Sequence, residues 1–201
     1  MFLIVKELNI MKYFIFILIY FIPSLNFIIL NKDMLVEWGF RNTGISKLYL
    51  YSREIEDIEP NTFESFENLI ELDLNDNNLT YIRPNTFSSL RKLKFLYLHF
   101  NLLTSLDPST FGSLINLNTL YLQNNSISFI HPKTFDNMTQ LETLLLYNNK
   151  LSILDSNTFN ALKSLSRLSL SDNLISNLYP NALFCLPALQ WFEICQNPIN
   201  L

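Results

Sequence analysis

The side chains that could do chemistry are few and widely spaced. On the concave face, His99 with Asp73 and Asp76 is the only grouping of a histidine with carboxylates that the repeat described below produces. Catalysis needs a nucleophile, a base and an orienting third group in a cleft that excludes water. Nothing around these positions supplies that set, so no catalytic residues are expected. His131 falls on a different face from His99, so the pair offers no metal site and no metal is expected. The only glycines, Gly39, Gly44 and Gly112, are too scattered to cradle phosphate, which takes several glycines at close spacing. No cofactor and no small-molecule substrate is expected.

Covalent modification is the chemistry the chain does advertise. Asn78-Leu79-Thr80, Asn124-Asn125-Ser126 and Asn137-Met138-Thr139 are N-glycosylation sequons, usable only in the secretory pathway. Residues 1–30 fit that route. Lys12 precedes a nearly unbroken apolar run over 13–30, the pattern of a secretory signal peptide, with Met11 the more natural start and Ser24 the best cleavage position. The alternative is an uncleaved signal-anchor, since the run is almost long enough to span a bilayer. Membrane contact is expected only in that case. Net charge is −4 with no Lys/Arg-rich block, so neither nucleic acid nor an anionic membrane surface is the expected partner. Cys185 and Cys195 are too few for a disulfide framework, and their positions argue against pairing with each other.

These residues take their places from a repeat. Copies begin at residues 45, 69, 93, 117, 141, 165 and 189, the last incomplete, and every step is 24 residues. Position 4 runs Leu48, Leu72, Leu96, Leu120, Leu144, Leu168 and Phe192; position 6 runs from Leu50 to Ile194; position 19 is Phe63, Phe87, Phe111, Phe135 and Phe159, then Leu183. Alternation at positions 2 to 7 predicts a short strand with positions 4 and 6 turned inward. Proline at position 16 (Pro60, Pro84, Pro108, Pro132 and Pro180, with Ser156 the exception) predicts turns or short 3₁₀ pieces on the return path. One coil cannot bury its own leucines, so the coils must stack. The expected fold is an α/β-type repeat solenoid. It is an arc with parallel strands on the concave face and turns or short 3₁₀ segments on the convex face.

Position 9 is Asn77, Asn101, Asn125, Asn149, Asn173 and Asn197, with Arg53 breaking the run in the first copy. A buried amide there can donate to one coil and accept from the next, giving an asparagine ladder. Position 15 reads Glu59, Arg83, Asp107, His131, Asp155 and Tyr179, which predicts a solvated ladder of opposite charges along the convex side.

The pattern "LxxLxLxxNxLxxIxPxTFxxLxx" resembles the extracellular leucine-rich repeat family, as in Slit, chondroadherin and the Toll ectodomains, over residues 45 to 201. That resemblance implies a binding module whose concave face holds a protein ligand. Secreted members usually cap the array with cysteine-rich modules. Residues 31–44 have no cysteine, so Trp38 and Phe40 are expected to cover the first coil instead. The array stops thirteen residues into its seventh copy, which reads as a chain cut short.

On the concave face, positions 2, 3, 5, 7 and 8 are expected to point outward. They carry Tyr49, Tyr51, Phe95, Tyr97, His99, Phe100, Tyr121 and Tyr147, aromatics suited to interface hot spots. Asn124 sits one step before the interior Asn125, where a glycan would edge the concave wall. Three readings follow: a secreted or matrix-associated protein-binding module, the ectodomain fragment of a receptor or adhesion protein, or the repeat module of a larger extracellular enzyme resembling peroxidasin.

Overall fold

The computed structural model describes residues 27–41, 44–177 and 181–199. Residues up to 26, where most of the expected signal segment falls, and Leu178, Tyr179 and Pro180 of the sixth copy, lie outside them. Seven three-residue strands, one per repeat copy, form a single parallel sheet: β2 (Lys47–Tyr49), β4 (Glu71–Asp73), β5 (Phe95–Tyr97), β7 (Thr119–Tyr121), β9 (Thr143–Leu145), β10 (Arg167–Ser169) and β11 (Trp191–Glu193). The register is strictly 24 residues, with Leu72 opposite Leu96, Leu96 opposite Leu120 and Leu120 opposite Leu144. The copies are therefore coils 1 to 7 of an arc, as the repeat predicts.

The return path carries short parallel pairs, β3 (Ile55–Ile58) and β6 (Ser105–Leu106) with β8 (Phe129–Ile130). Two four-residue helical turns follow the same route, α2 (Pro108–Phe111) and α3 (Asn181–Phe184). Elsewhere it is held by i→i+3 bonds of 3₁₀ type, such as Phe66 N–H to Phe63 O at 2.9 Å and Leu90 N–H to Phe87 O at 3.0 Å. In α2, Pro108 takes the first turn and Asp107 caps it by accepting from Ser109 N–H.

The five phenylalanines of position 19 are fully buried and form a spine, stacked at 6.1 Å for Phe63–Phe87 and 6.2 Å for Phe135–Phe159. Each buried ring contributes roughly 2 kcal/mol. A second polar series accompanies them: Thr62, Thr86, Thr110, Thr134 and Thr158 are all buried. Thr134 donates to Leu106 O of the previous coil at 3.0 Å, and Thr62 donates to Leu30 O at 3.2 Å.

The amino-terminal end differs from the sequence expectation in extent. β1 (Ile28–Leu30) pairs parallel with β3, and α1 (Lys32–Glu37) follows, capped by Asn31. Residues 28–30, grouped with the leader in the sequence, are thus part of the folded unit, with Leu30 fully buried. Leu35, Trp38 and Phe40 pack on the core beside it. Arg53 lays its guanidinium 4.4 Å from the centroid of Trp38. Coil 1 has no earlier coil to bond, so its position 9 can hold an arginine that covers the cap instead of a ladder amide.

Along the convex side the position-15 charges act on one another across coils, Glu59 on Arg83 and His131 on Asp107, but the direct partners are others. Arg83 pairs with Asp57, two positions before Glu59, its Nε donating at 3.1 Å. Asp155 accepts from Asn157 N–H at 2.8 Å, and His131 Nδ1 accepts from Lys133 N–H at 3.1 Å. Asp155 and His131 thus satisfy N–H groups of their own turns. Cys185 and Cys195 form no disulfide with each other.

Candidate binding face

Strand geometry sends every second side chain to the concave side, and in-register stacking places equal positions side by side about 4.8 Å apart. Position 5 across the sheet therefore reads Tyr49, Asp73, Tyr97, Tyr121, Leu145, Ser169 and Glu193. Four rings come together on coils 3 and 4. Tyr97 and Tyr121 lie 5.2 Å apart, His99 lies 6.2 Å from Tyr97 and 6.0 Å from Tyr121, and Phe100 lies 5.6 Å from His99. Tyr49, Tyr51, Phe95 and Tyr147 stand outside this cluster. Tyr49 and Tyr51 are exposed on coil 1, where the Tyr49 hydroxyl donates to Glu71 Oε1 at 3.4 Å.

Exposure departs from the expectation of outward-standing rings. Phe95, Tyr97, His99, Tyr121 and Tyr147 are half-buried; for Tyr97, His99 and Tyr121 the neighbouring rings cover one another. Gln123, Ser169 and Ser171, expected to point out at positions 5 and 7, are buried. The two serines are short enough to sit below their larger neighbours, and Ser171 Oγ accepts from Cys195 N–H at 3.1 Å.

Phe100 is the exposed member of the cluster, at 55%. Position 8 leaves the strand in left-handed backbone on every coil: Ser52, Asp76, Phe100, Asn124, Asn148, Asp172 and Gln196 all have φ between 51° and 56°. Short polar residues tolerate that region, whereas a bulky aromatic is an outlier there.

Burial shapes the electrostatics. It pushes the Tyr97 hydroxyl above its usual range, helped by the negative charges of Glu71 and Asp73. Burial likewise lowers the His99 imidazole, opposed by Asp73 and Asp76. Glu71 is bridged by Lys47 at 2.7 Å. Asp73 accepts from Asn75 N–H at 3.0 Å and Asp76 from the Ser52 hydroxyl at 2.5 Å, both neutral donors. Among the described residues neither has a cationic partner.

Beneath the face runs the asparagine ladder. Asn101 accepts from Leu79 N–H at 3.1 Å and donates to Leu74 O and Leu98 O. Asn77, Asn125, Asn149, Asn173 and Asn197 repeat the arrangement, each accepting from position 11 of the preceding coil. Asn125 is half-buried; Asn77, Asn101, Asn149 and Asn173 are buried. Of the sequon asparagines, Asn78 and Asn137 are exposed. Asn124 is half-buried and accepts from Asn148 Nδ2 at 2.6 Å, while Asn137 Nδ2 donates to Gly112 O at 2.9 Å.

Other surfaces went unread in the sequence. Trp191, at position 3 of coil 7, carries the Arg167 guanidinium 4.4 Å from its centroid. Position 13, assigned no role by the repeat, exposes Tyr81, Phe129 and Ile153 on the side of the arc. Two grooves lie there, one lined by Phe27, Ile29, Tyr81 and Arg83, the other by Phe129, His131 and Ile153. Large apolar residues at that position were the available signal. Among the described residues no group of three His, Cys, Asp or Glu could hold a metal, and no helix is long and apolar enough to cross a membrane.

The sequence matches the family model described as leucine rich repeat over residues 43–103, 96–151 and 140–199. Comparison with curated proteins returned no match. Among solved structures, the arc superposes on one titled as the crystal structure of a TLR13–ssRNA13 complex, with TM-score 0.76 and 29% identity, over 87% of this chain and 24% of that one. It also superposes on the leucine-rich repeat domain of APL1B, with TM-score 0.70 and 28% identity, over 85% of this chain and 50% of that one. The chain thus spans half or less of these two structures.

Proposed function

Because the chain belongs to the leucine-rich repeat family, we propose that it is an extracellular binding module whose concave sheet holds a protein ligand. The observation that carries this reading is the four-ring cluster of Tyr97, His99, Phe100 and Tyr121, with Phe100 exposed in left-handed backbone. Such strain persists where something other than stability selects the residue. Aromatic rings concentrated at one place are the usual anchors of protein interfaces. The apolar run before residue 30 and the sequons at Asn78, Asn124 and Asn137 support export and glycosylation. A glycan on Asn124, one coil beyond Phe100 at the same position, would edge the binding face.

The neighbour captured with ssRNA makes nucleic acid the rival ligand. The charges left without a cationic partner beside the ring cluster are carboxylates, Asp73 and Asp76, which repel phosphate and favour protein over RNA. The share of the neighbouring chains that this one covers also supports a second reading, in which it is one segment of a longer receptor or adhesion ectodomain.

The test is capture from a secreted-protein library by the purified chain, beside a Tyr97→Ala/Tyr121→Ala variant of unchanged thermal stability. Loss of capture is expected, by at least tenfold, since two hot-spot truncations together cost about 2 kcal/mol or more. Equal capture by both proteins would remove the concave face from the account.

A further inference from the structure

The surroundings of the ring cluster narrow what the ligand must present. At both ends of the sheet an aromatic ring is already served by an arginine of the same chain, Arg53 over Trp38 and Arg167 over Trp191, each at 4.4 Å. In the middle no arginine is laid over a ring, and Lys47, whose charge reaches Tyr97, is held by Glu71 at 2.7 Å. Tyr97 lies directly beside Asp73 in the sheet register, and Phe100 takes the same position on coil 3 that Asp76 takes on coil 2. Aromatic faces next to two carboxylates without a cationic partner form the environment that a desolvated cation seeks.

A separate observation points the same way. Gln123 is 6% exposed, and its Oε1 has no hydrogen-bond donor. His99 Nδ1, at the same position one coil earlier, is also buried without a partner. Unsatisfied buried polar atoms are rare, and each calls for an explanation such as a missing partner. Two adjacent ones beneath a ring cluster mark a place where donors are absent.

We propose that the concave sheet from coil 2 to coil 4 is a receptor site for a guanidinium group, an arginine side chain presented by a basic segment of the protein ligand. The planar cation stacks on the ring cluster of Tyr97, Tyr121 and Phe100 from the solvent side, and its N–H groups reach towards Asp73 and Asp76. Arginine fits better than lysine because it offers five donors in one plane, whereas an ammonium is compact and strongly hydrated. This inference rests on the reading that the concave sheet faces a protein ligand.

The experiment is an NMR titration of the folded chain, following His99 and the tyrosine rings, with N-acetyl-arginine amide, N-acetyl-lysine amide and the uncharged N-acetyl-citrulline amide. Saturable shifts are expected with the arginine probe, at least fivefold weaker binding of the lysine probe, and no saturation with citrulline. Asp76→Asn should weaken arginine binding at least tenfold. It should leave the fold intact, because coils 4 and 5 place asparagine in the same backbone conformation at Asn124 and Asn148. Equal shifts from all three probes, or an Asp76→Asn variant that binds arginine unchanged, would overturn the site. So would a single-stranded RNA oligonucleotide that perturbs the same signals more strongly than arginine does. Failure of the arginine probe while Tyr97→Ala still abolishes library capture refutes the guanidinium site alone. Unchanged capture by Tyr97→Ala brings down both.

Discussion

Replacing Asn149 by alanine tests the interior ladder, with its neighbour Asn148 as the internal control. Asn149 accepts from Ile127 N–H at 2.9 Å and donates to Leu122 O and Leu146 O at 3.0 Å each. After truncation the two carbonyls each keep one donor, since Leu122 O still accepts from Asn125 and Leu146 O from Asn173. Ile127 N–H, on a fully buried residue, keeps none. Stranding one buried N–H costs about 1–3 kcal/mol, and two lost bonds add roughly 0.5–1.5 kcal/mol each. Together they come to about 4 kcal/mol, or about 8–16 °C in Tm for a chain of this size. Asn148 donates only to Asn124 Oδ1, on the exposed side, and has φ 53°. Asn148→Gly removes that bond without penalty from the left-handed backbone, so Tm should move by no more than about 2 °C. Differential scanning calorimetry on both variants decides the matter. If Asn149→Ala melts within 2 °C of Asn148→Gly, the ladder amides do not hold the coils together.

Two further perturbations read the binding face. Phe100→Asn exchanges a bulky ring in left-handed backbone for a residue that tolerates it, and should raise Tm by about 2–4 °C, from roughly 1 kcal/mol of relieved strain, while library capture falls. A variant less stable than the parent would show that the ring is structural. His99 is held below its ordinary 6.5 by burial, against Asp73 and Asp76 and beside the rings of Tyr97, Tyr121 and Phe100. The unfolded chain therefore binds this proton more tightly than the folded one. Stability should be full above pH 6.5 and fall on acidification until the folded imidazole itself titrates. Urea unfolding of the parent and of His99→Gln should show this slope only in the parent, and parallel curves would refute it.

The 24-residue step made the sheet, its register, the leucine core and the phenylalanine spine legible, because stacking forces equal positions onto equal environments. Position 9 was legible for the same reason, since an amide that must reach the preceding coil has to recur. The register did not report how neighbouring coils shade one another. Gln123 and Tyr121 occupy two outward positions on one coil, yet Gln123 is buried and Tyr121 half-exposed, a difference made by the surrounding side chains. Nor did it reveal which charges meet. Arg83 chose Asp57 over Glu59, a choice set by the path of β3 and invisible in a list of position-15 residues. Position 13 was overlooked because the repeat assigns it no role, although Phe129 and Ile153 are exposed there.

In a stacked array, a departure from the recurring residue at a constrained position carries information, once structural causes are removed. Arg53 departs from the asparagine run and has such a cause: it covers Trp38 where no earlier coil needs an amide. Phe100 departs from a polar series by holding an exposed ring in a strained backbone, and Gln123, where no residue recurs, buries an amide oxygen that nothing satisfies. Neither improves the stacking of the coils, and both carry a cost in stability. They stand on adjacent coils, and Phe100 lies one coil beyond Asp76, a carboxylate without a cationic partner. Costs that fall together on one surface, with no return to the fold, are best accounted for by something the surface binds.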